Sequence, residues 1–352
     1  MRVAQRIPVA EIFGADRSID TIIDVRSPAE FAEDHFPGAV SAPVLDDRER
    51  AHVGQIWHQD SPFQARRIGA AIVSRNIARM LEDDFAVRPP DWRPLVYCWR
   101  GGDRSGALAS ILASVGWHTS VLEGGYKAFR RHVIDSLQTL PTGLHWHVIA
   151  GRTGSGKSLV LQALRARGEQ IIDLEGLARH RGSVLGLPPG TRQPGQKAFE
   201  TALWDALRRL DPARRVFVES ESRRIGRCHL PDAMIEAIRN APCTRLQAPM
   251  PLRVRLLLEE YRHFIDDPAQ LDARLDRLLE LHGHVRIDAW KALATQKRWP
   301  EFVESMLELH YDPAYERSMR SNFRHLEAGD TLLLEEDGDA IERVAAALAT
   351  RA

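Results

Sequence analysis

Lysine is scarce in this chain of 352 residues, confined to Lys127, Lys157, Lys197, Lys291 and Lys297, so arginine supplies nearly all the positive charge. Arginine suits phosphate forks and base stacking, but a genomic codon bias gives the same composition and is the simpler reading. Basic and acidic side chains number 48 each, leaving no net charge. The molecule as a whole is therefore no electrostatic magnet for nucleic acid, and only local basic faces remain open. Cysteine is limited to Cys98, Cys228 and Cys243, which excludes a disulfide framework and suits a reducing compartment. No apolar run approaches the ~20 residues of a membrane span, and residues 1–14 lack the apolar core of a signal peptide. A cytoplasmic protein is expected. Repeats and low-complexity segments are also missing. With 44% hydrophobic and 27% charged residues, the chain reads as globular, and its length exceeds what one core usually serves, so two domains are expected.

The stretch that organises the first half is Tyr97-Cys98-Trp99-Arg100-Gly101-Gly102-Asp103-Arg104-Ser105. Arg93 to Tyr97 reads as a buried strand, and Ser105 to Val115 as a helix stopped by Gly116. A thiol between a strand end and a helix start meets unpaired backbone N–H groups and the positive end of the helix dipole. Gly101 and Gly102 let the loop curl into a nest of amides, and Arg100 and Arg104 add charge. Cys98 is thus expected to be a low-pKa nucleophile beside an anion cradle. Its Cys-x5-Arg spacing to Arg104 lets both reach one oxyanion. An inert buried cysteine is the competing reading.

Upstream, Thr21 to Arg26 reads as a strand ending in a charged pair, and Ser27, Pro28 and Glu30 as the N-cap, N1 and N3 of a helix. His35 to Val40 is a turn feeding a short strand to Pro43, and residues 62–81 form a long helix. Thr119 to Leu122 is a further strand, and Glu123-Gly124-Gly125-Tyr126 turns into a helix through Phe129. Alternating strands and helices imply a parallel sheet covered on both faces, with sites at the strand carboxyl ends. Asp24-Val25-Arg26-Ser27-Pro28-Ala29-Glu30-Phe31, the His35 turn, the cysteine loop and Glu123 to Tyr126 together resemble a rhodanese domain over about residues 1–140. That resemblance implies sulfur or selenium carried on the loop cysteine, although some relatives with a Cys-x5-Arg loop are phosphatases.

After a linker at Leu140 to Gly143, the strand His145 to Ala150 runs into Gly151-Arg152-Thr153-Gly154-Ser155-Gly156-Lys157-Ser158. This is the G-x-x-x-x-G-K-[ST] pattern of a P-loop in its strand-before, helix-after context. Its amides are expected to ring a diphosphate, Lys157 to neutralise an outer phosphate, and Ser158 to hold Mg²⁺. Gln170 to Asp173 and Arg215 to Glu219 read as strands ending in carboxylates. Asp173, Glu219 or Glu221 is a candidate metal ligand or base, with a solvated strand end an equal reading for each. His180-Arg181-Gly182-Ser183 and Gln193 to Glu200 read as loops above the P-loop able to contact substrate. From Pro251 consecutive helices follow, with Arg253, Arg255, Arg262, Arg274 and Arg277 read as a solvated face in preference to a binding one. Thr331 to Leu334 is a last strand, and Ala340 to Ala349 a closing helix. The pairs His145/His147 and His282/His284 lack a partner at metal-ligand spacing, and Cys228 reads as a spectator more than as a thiol resolving Cys98.

The two domains expected are residues 1–140, rhodanese-like with a parallel sheet and flanking helices, and 145–352, a P-loop NTPase-like α/β domain with a helical C-terminal portion. The whole chain resembles the bacterial tRNA 2-selenouridine synthase family. The residues carrying that likeness are Tyr97 to Gly102, Gly151 to Ser158, Asp173 to Ala178 with His180 to Ser183, Val218 to Gly226 including Arg223, and His310-Tyr311-Asp312-Pro313. The resemblance implies action on the wobble 2-thiouridine of tRNA anticodon loops, in two steps: S-geranylation from geranyl diphosphate, then selenation from selenophosphate. No tightly bound cofactor is expected, with Mg²⁺ as a candidate ion. Asp103 departs from the family, whose members usually carry an apolar residue there. An ATP-dependent sulfurtransferase, a phosphatase using Cys98 and Arg104, and a non-catalytic tRNA-binding module are the competing functions.

Overall fold

The computed structural model describes residues 2–13, 18–183, 185–186 and 190–350; Met1 and Gly14, the ends of the segment read for a signal peptide, lie outside them. The chain divides into two compact units, Met1–Ser136 with Glu200–Asp205, and Leu137–Phe199 with Ala206–Ala352. Each is an α/β layer structure on its own all-parallel five-stranded sheet.

In the first unit, β1 (Gln5–Ile7), β2 (Thr21–Asp24), α1 (Pro28–Glu33), β3 (Val40–Ser41), α2 (Asp47–Gln59), α3 (Pro62–Glu82), β4 (Pro94–Tyr97), α4 (Asp103–Val115), β5 (Ser120–Leu122) and α5 (Gly125–Thr139) follow in order. The sheet runs β1-β5-β4-β2-β3. The central β4 is buried along its whole length, as its apolar Leu95, Val96 and Tyr97 require. The α1 start forms as its sequence indicates: Glu30 reaches back to accept the Ser27 amide at 3.1 Å. Beyond Phe129, where the sequence pattern fades, α5 continues to Thr139. At the end of β2, Arg26 is fully buried, forks onto Asp24 and lies 3.9 Å over the Tyr126 ring. A buried charge survives there because both partners are desolvated together and cation–π contact adds to the pair. Trp204, in the stretch that joins this unit from later in the chain, packs against Phe13 and Phe129.

The second unit contains β6 (His145–Gly151), α6 (Lys157–Ala166), β7 (Gln170–Ile172), α7 (Leu174–Ala178), the two ends of α8 (Gln196–Leu207, whose Glu200–Asp205 belong to the first unit), β8 (Arg215–Glu219), the antiparallel pair β9 (Arg224–Ile225) and β10 (Cys228–His229), α9 (Asp232–Arg239) and β11 (Cys243–Gln247). Its sheet runs β12-β11-β6-β8-β7, with β12 at Thr331–Leu333. A helical portion follows β11: α10 (Met250–Glu260), α11 (Arg262–Asp266), α12 (Pro268–Leu275), α13 (Leu279–Thr295), α14 (Trp299–Met306), a π-turn at Leu307–Tyr311 and α15 (Asp312–Asn322), with α16 (Ala340–Thr350) closing the chain. The segment Gln193 to Glu200 is not the loop expected from its polar residues, since α8 begins at Gln196. Gln193 is itself buried, its amide donating to the Ala178 and Ile225 carbonyls and accepting from the Arg227 amide. It is an internal tie and not a substrate contact.

Arg253 corrects a second expectation. It does not sit on a solvated face but is buried, forked onto Asp312 at 2.6 and 2.9 Å, and its Nε donates to the Thr153 carbonyl at 2.9 Å. Arg255, Arg262 and Arg277 are exposed as expected. Breaking a buried pair leaves one charge uncompensated, whereas replacing both partners by apolar groups does not. Arg253→Met should cost about 3 kcal/mol in chemical denaturation, and Arg253→Met with Asp312→Leu should recover most of it; equal losses in the single and double variants would contradict the pairing.

Candidate active site

Cys98 lies one residue beyond β4, buried. Burial pushes its thiol up, but the Ser105 hydroxyl at 3.2 Å and the backbone N–H groups of Ser105, Arg100 and Gly102 outweigh it, and the net pKa is lowered. Hydrogen bonds aimed at the charged form favour that form. The loop holds this shape because its carbonyls are tied elsewhere: Cys98 O accepts from the Tyr126 amide at 2.8 Å and Trp99 O from the Lys127 amide at 3.0 Å. Gly125 permits that approach, for a Cβ there (φ +59°) would stand 2.3 Å from the Cys98 carbonyl oxygen. Gly101 (φ +66°) likewise faces the Leu122 carbonyl oxygen at 2.6 Å. The cradle is therefore main chain and one hydroxyl. Arg104 is paired with Glu30 at 2.8 Å, Arg100 points to solvent and Asp103 is exposed on the first turn of α4. Ser105, whose hydroxyl lies 3.2 Å from the sulfur, stands on the first turn of the helix after the cysteine, and that position is the sequence signal for its role.

The P-loop follows β6 at the centre of the second sheet. Thr153, Gly154, Ser155, Gly156, Lys157 and Ser158 line a cleft of about 720 Å³. Gly154 and Gly156 take φ of +77° and +81°, and between them the Ser155 amide donates to the Arg152 carbonyl at 3.1 Å, closing the turn. The Gly151 carbonyl accepts from Lys157 Nζ at 2.7 Å, so Gly151 braces the lysine from below. The cleft gathers Arg181, Ser183 and Glu221 from the predicted set, together with Glu175, Tyr261, His310, Tyr311 and Tyr315. It does not gather His180, whose Nδ1 accepts from the Gly182 amide, nor Arg223, which pairs with exposed Asp232 at 2.7 Å. Asp173 is a helix cap, accepting from the Gly176 amide at 2.8 Å and from Gln162 at 2.9 Å, which accounts for its carboxylate without a metal or a proton transfer.

Beside the cleft lies a cluster of carboxyls. Glu219 is fully buried, with one oxygen accepting the Glu175 amide at 2.9 Å and the other without a hydrogen-bond partner. Glu175 stands 3.4 Å from the Ser158 hydroxyl. Burial raises the pKa of Glu175, Glu219 and Glu221; neighbouring carboxylate charge adds to it at Glu175 and Glu219, and Lys157 opposes it at all three. At neutral pH the cluster keeps at least one proton, as like charges in one dry site must. Among the described residues no group of three metal-binding side chains is assembled. His282 Nε2 bonds His310 Nδ1 at 2.9 Å and His147 bonds Thr244, so neither H-x-H pair is arranged as a ligand set. Cys228 and Cys243 are buried and their thiols are pushed up, Cys243 to about 11, which disfavours a reactive thiolate at either.

Two measurements follow from these environments. Ser105→Ala should slow iodoacetamide alkylation of Cys98 at pH 7 about ten-fold, the worth of one hydrogen bond to a charged sulfur; an unchanged rate would remove Ser105 from the cradle. Glu219 binds a proton in the folded state up to about pH 8, against an ordinary value of 4.5. Folding then holds more protons than unfolding across that window, so stability falls as pH rises. Denaturant titrations from pH 5 to 8 should show this decline, with a shallower slope in Glu219→Gln; equal slopes would mean the carboxyl ionises normally.

Family models match both halves: a rhodanese-like domain over residues 9–132 and a tRNA 2-selenouridine synthase AAA domain over residues 144–278. Among curated proteins, a tRNA 2-selenouridine synthase of Alcanivorax borkumensis is 33% identical, the match covering 84% of this chain and 88% of that one. One from Aeromonas salmonicida is 33% identical over 84% and 86% of the two chains, and one from Cupriavidus necator 35% identical over 84% and 87%. No helix among the described residues is long and apolar enough to cross a membrane. With a thiolate-favouring cysteine loop in one unit, a P-loop cleft in the other and these relatives across most of its length, the chain belongs to the tRNA 2-selenouridine synthase family.

Proposed function

We propose that this enzyme converts the wobble 2-thiouridine of tRNA to 2-selenouridine in two steps, S-geranylation from geranyl diphosphate and then selenation from selenophosphate. The observation that carries the reading is the presence in one chain of two main-chain anion sites of different chemistry. One surrounds a sulfur nucleophile and the other, with Lys157, lines a cleft. In the first step the thiocarbonyl sulfur attacks the allylic carbon of geranyl diphosphate; the C–O bond breaks, diphosphate leaves, and the N3 proton of the base passes to solvent. P-loop amides and Lys157 are placed to stabilise the charge growing on the leaving group. Mg²⁺ takes few protein ligands and keeps several waters; the Ser158 hydroxyl beside Glu175 fits that role, and the ion would supply further neutralisation of the diphosphate.

Alkylation turns C2 into a better electrophile and its sulfur into a leaving group. The Cys98 thiolate then attacks the phosphorus of selenophosphate, the P–Se bond breaks and hydroselenide is released. Its selenium attacks C2, a C–Se bond forms, the C–S bond breaks and geranyl thiol departs, while water hydrolyses the S-phosphocysteine to free Cys98 and phosphate. Anticodon-loop bases are single-stranded and can be splayed into a pocket at modest cost. Trp99, half-buried 5.3 Å from Tyr126, is an aromatic beside Cys98 on which a base can stack. The setting for this chemistry is the cytoplasm, where reduced thiols persist.

Nucleoside analysis of tRNA treated with each variant separates the steps. Cys98→Ala should form S-geranyl-2-thiouridine and no 2-selenouridine, while Lys157→Ala should lose at least about a hundred-fold in geranyl transfer, as for removal of one charge-stabilising donor. Normal 2-selenouridine from Cys98→Ala, or unchanged labelled-geranyl incorporation by Lys157→Ala, would overturn the assignment of that step.

A further inference from the structure

Adjoining the P-loop cleft is a second cavity, walled by α10, α11, α14 and the π-turn and almost wholly hydrocarbon and aromatic. Phe264, Ile265, Trp299, Phe302, Val303 and Met306 form its inner wall. Thr153 of the P-loop, Leu257, Tyr261 and Tyr311 line both this cavity and the cleft. The space within it is narrow, about 50 Å³ against about 720 Å³ in the cleft. No other part of the proposed reaction uses this cavity. An apolar chamber is costly to leave open to water, and its natural occupant is apolar surface.

We propose that this chamber is the tail subsite of the diphosphate ester held at the P-loop, so that the second unit reads an isoprenoid hydrocarbon and rejects a nucleotide. The inference rests on the proposed use of a prenyl diphosphate and adds where its chain lies and how it is selected. Because Thr153 belongs to both walls, a phosphate group on the loop amides and a carbon chain in the chamber can be parts of one small molecule. A nucleoside in the same place would bury a base edge and ribose hydroxyls against Phe264, Trp299 and Met306, with no partners and a cost of some kcal/mol for each unpaired group. Tyr261 and Tyr311 stand at the junction. The Tyr261 hydroxyl is 3.3 Å from Ser183 Oγ and its ring is covered by Arg181 at 5.0 Å, so the junction is polar on the cleft side and aromatic on the chamber side. The allylic carbon, between diphosphate and tail, falls at that junction, open to a sulfur nucleophile entering from the cleft.

Val303 is half-buried on α14 and lines the chamber but not the cleft, so filling it leaves the phosphate site intact. In equilibrium binding, the unsubstituted protein should hold geranyl diphosphate at least about a hundred-fold more tightly than inorganic pyrophosphate, since each buried methylene contributes about a four-fold gain. Dimethylallyl diphosphate should fall between the two, and ATP should gain nothing over pyrophosphate. Val303→Trp should erase most of the geranyl preference while pyrophosphate affinity, which also reports folding, stays constant. Phe302→Ala should shift preference towards farnesyl diphosphate. A geranyl preference that survives both variants would overturn the location while leaving prenyl transfer standing. Absence of any preference in the unsubstituted protein, or a gain for ATP, would overturn both.

Discussion

A pocket made of main-chain amides works only if the carbonyls of the same loop are tied down elsewhere, and both sites in this chain depend on that constraint. In the cysteine loop, Cys98 O and Trp99 O are taken by the first amides of α5. That leaves the amides of Arg100, Gly102 and Ser105 for the sulfur. In the P-loop, Gly151 O is taken by Lys157 and Thr153 O by buried Arg253. Each tie is secured by a desolvated arginine–aspartate pair nearby: Arg26 with Asp24 under Tyr126, and Arg253 with Asp312. Such pairs add little net stability relative to an apolar core of the same shape, but they fix one geometry because either charge alone would be strongly unfavourable.

The motif Glu123-Gly124-Gly125-Tyr126 thereby acquires a physical reason. Gly125 lets the chain pass against the cysteine loop, Tyr126 supplies an amide to Cys98 O, and its ring lies over Arg26. In the second unit the sequence His310-Tyr311-Asp312-Pro313 plays the corresponding part. Asp312 anchors Arg253 at the back of the P-loop, and the π-turn before it turns Tyr311 and His310 towards the cleft. A π-turn inserts an extra residue into the helical repeat and re-aims the side chains that follow. The scaffold and the opening for substrate are thus parts of one short stretch.

Most of the sheet order's raw material and both loops were legible from strand-to-helix transitions with glycines between them, because local backbone requirements dictate those residues. What the sequence concealed has a common cause. Glu175, Arg253 and Gln193 are polar residues whose roles are set by partners distant in the chain, so their neighbours in sequence carry no sign of it. Asp173, at the end of a strand, reads as a metal ligand or base, and His180, on a polar loop, as a substrate contact, yet capping a helix and closing a turn consume them. Arg104 met the spacing for an oxyanion partner, but Glu30 from α1 reached it first. The helix at Asp47–Gln59 did have a local signature, the Asp46 and Glu49 capping box with bonds of 2.7 and 2.9 Å, in a stretch of low hydrophobicity that conceals periodicity.

The central claim, that alkylation at the P-loop prepares the base for exchange at Cys98, is tested most directly by a single-turnover time course. Enzyme in excess over 2-thiouridine tRNA is mixed with geranyl diphosphate and selenophosphate, and the wobble nucleoside is followed by mass. S-geranyl-2-thiouridine should rise first and decay as 2-selenouridine accumulates, with no 2-selenouridine when geranyl diphosphate is omitted. Formation of 2-selenouridine at the full rate without geranyl diphosphate would contradict the account.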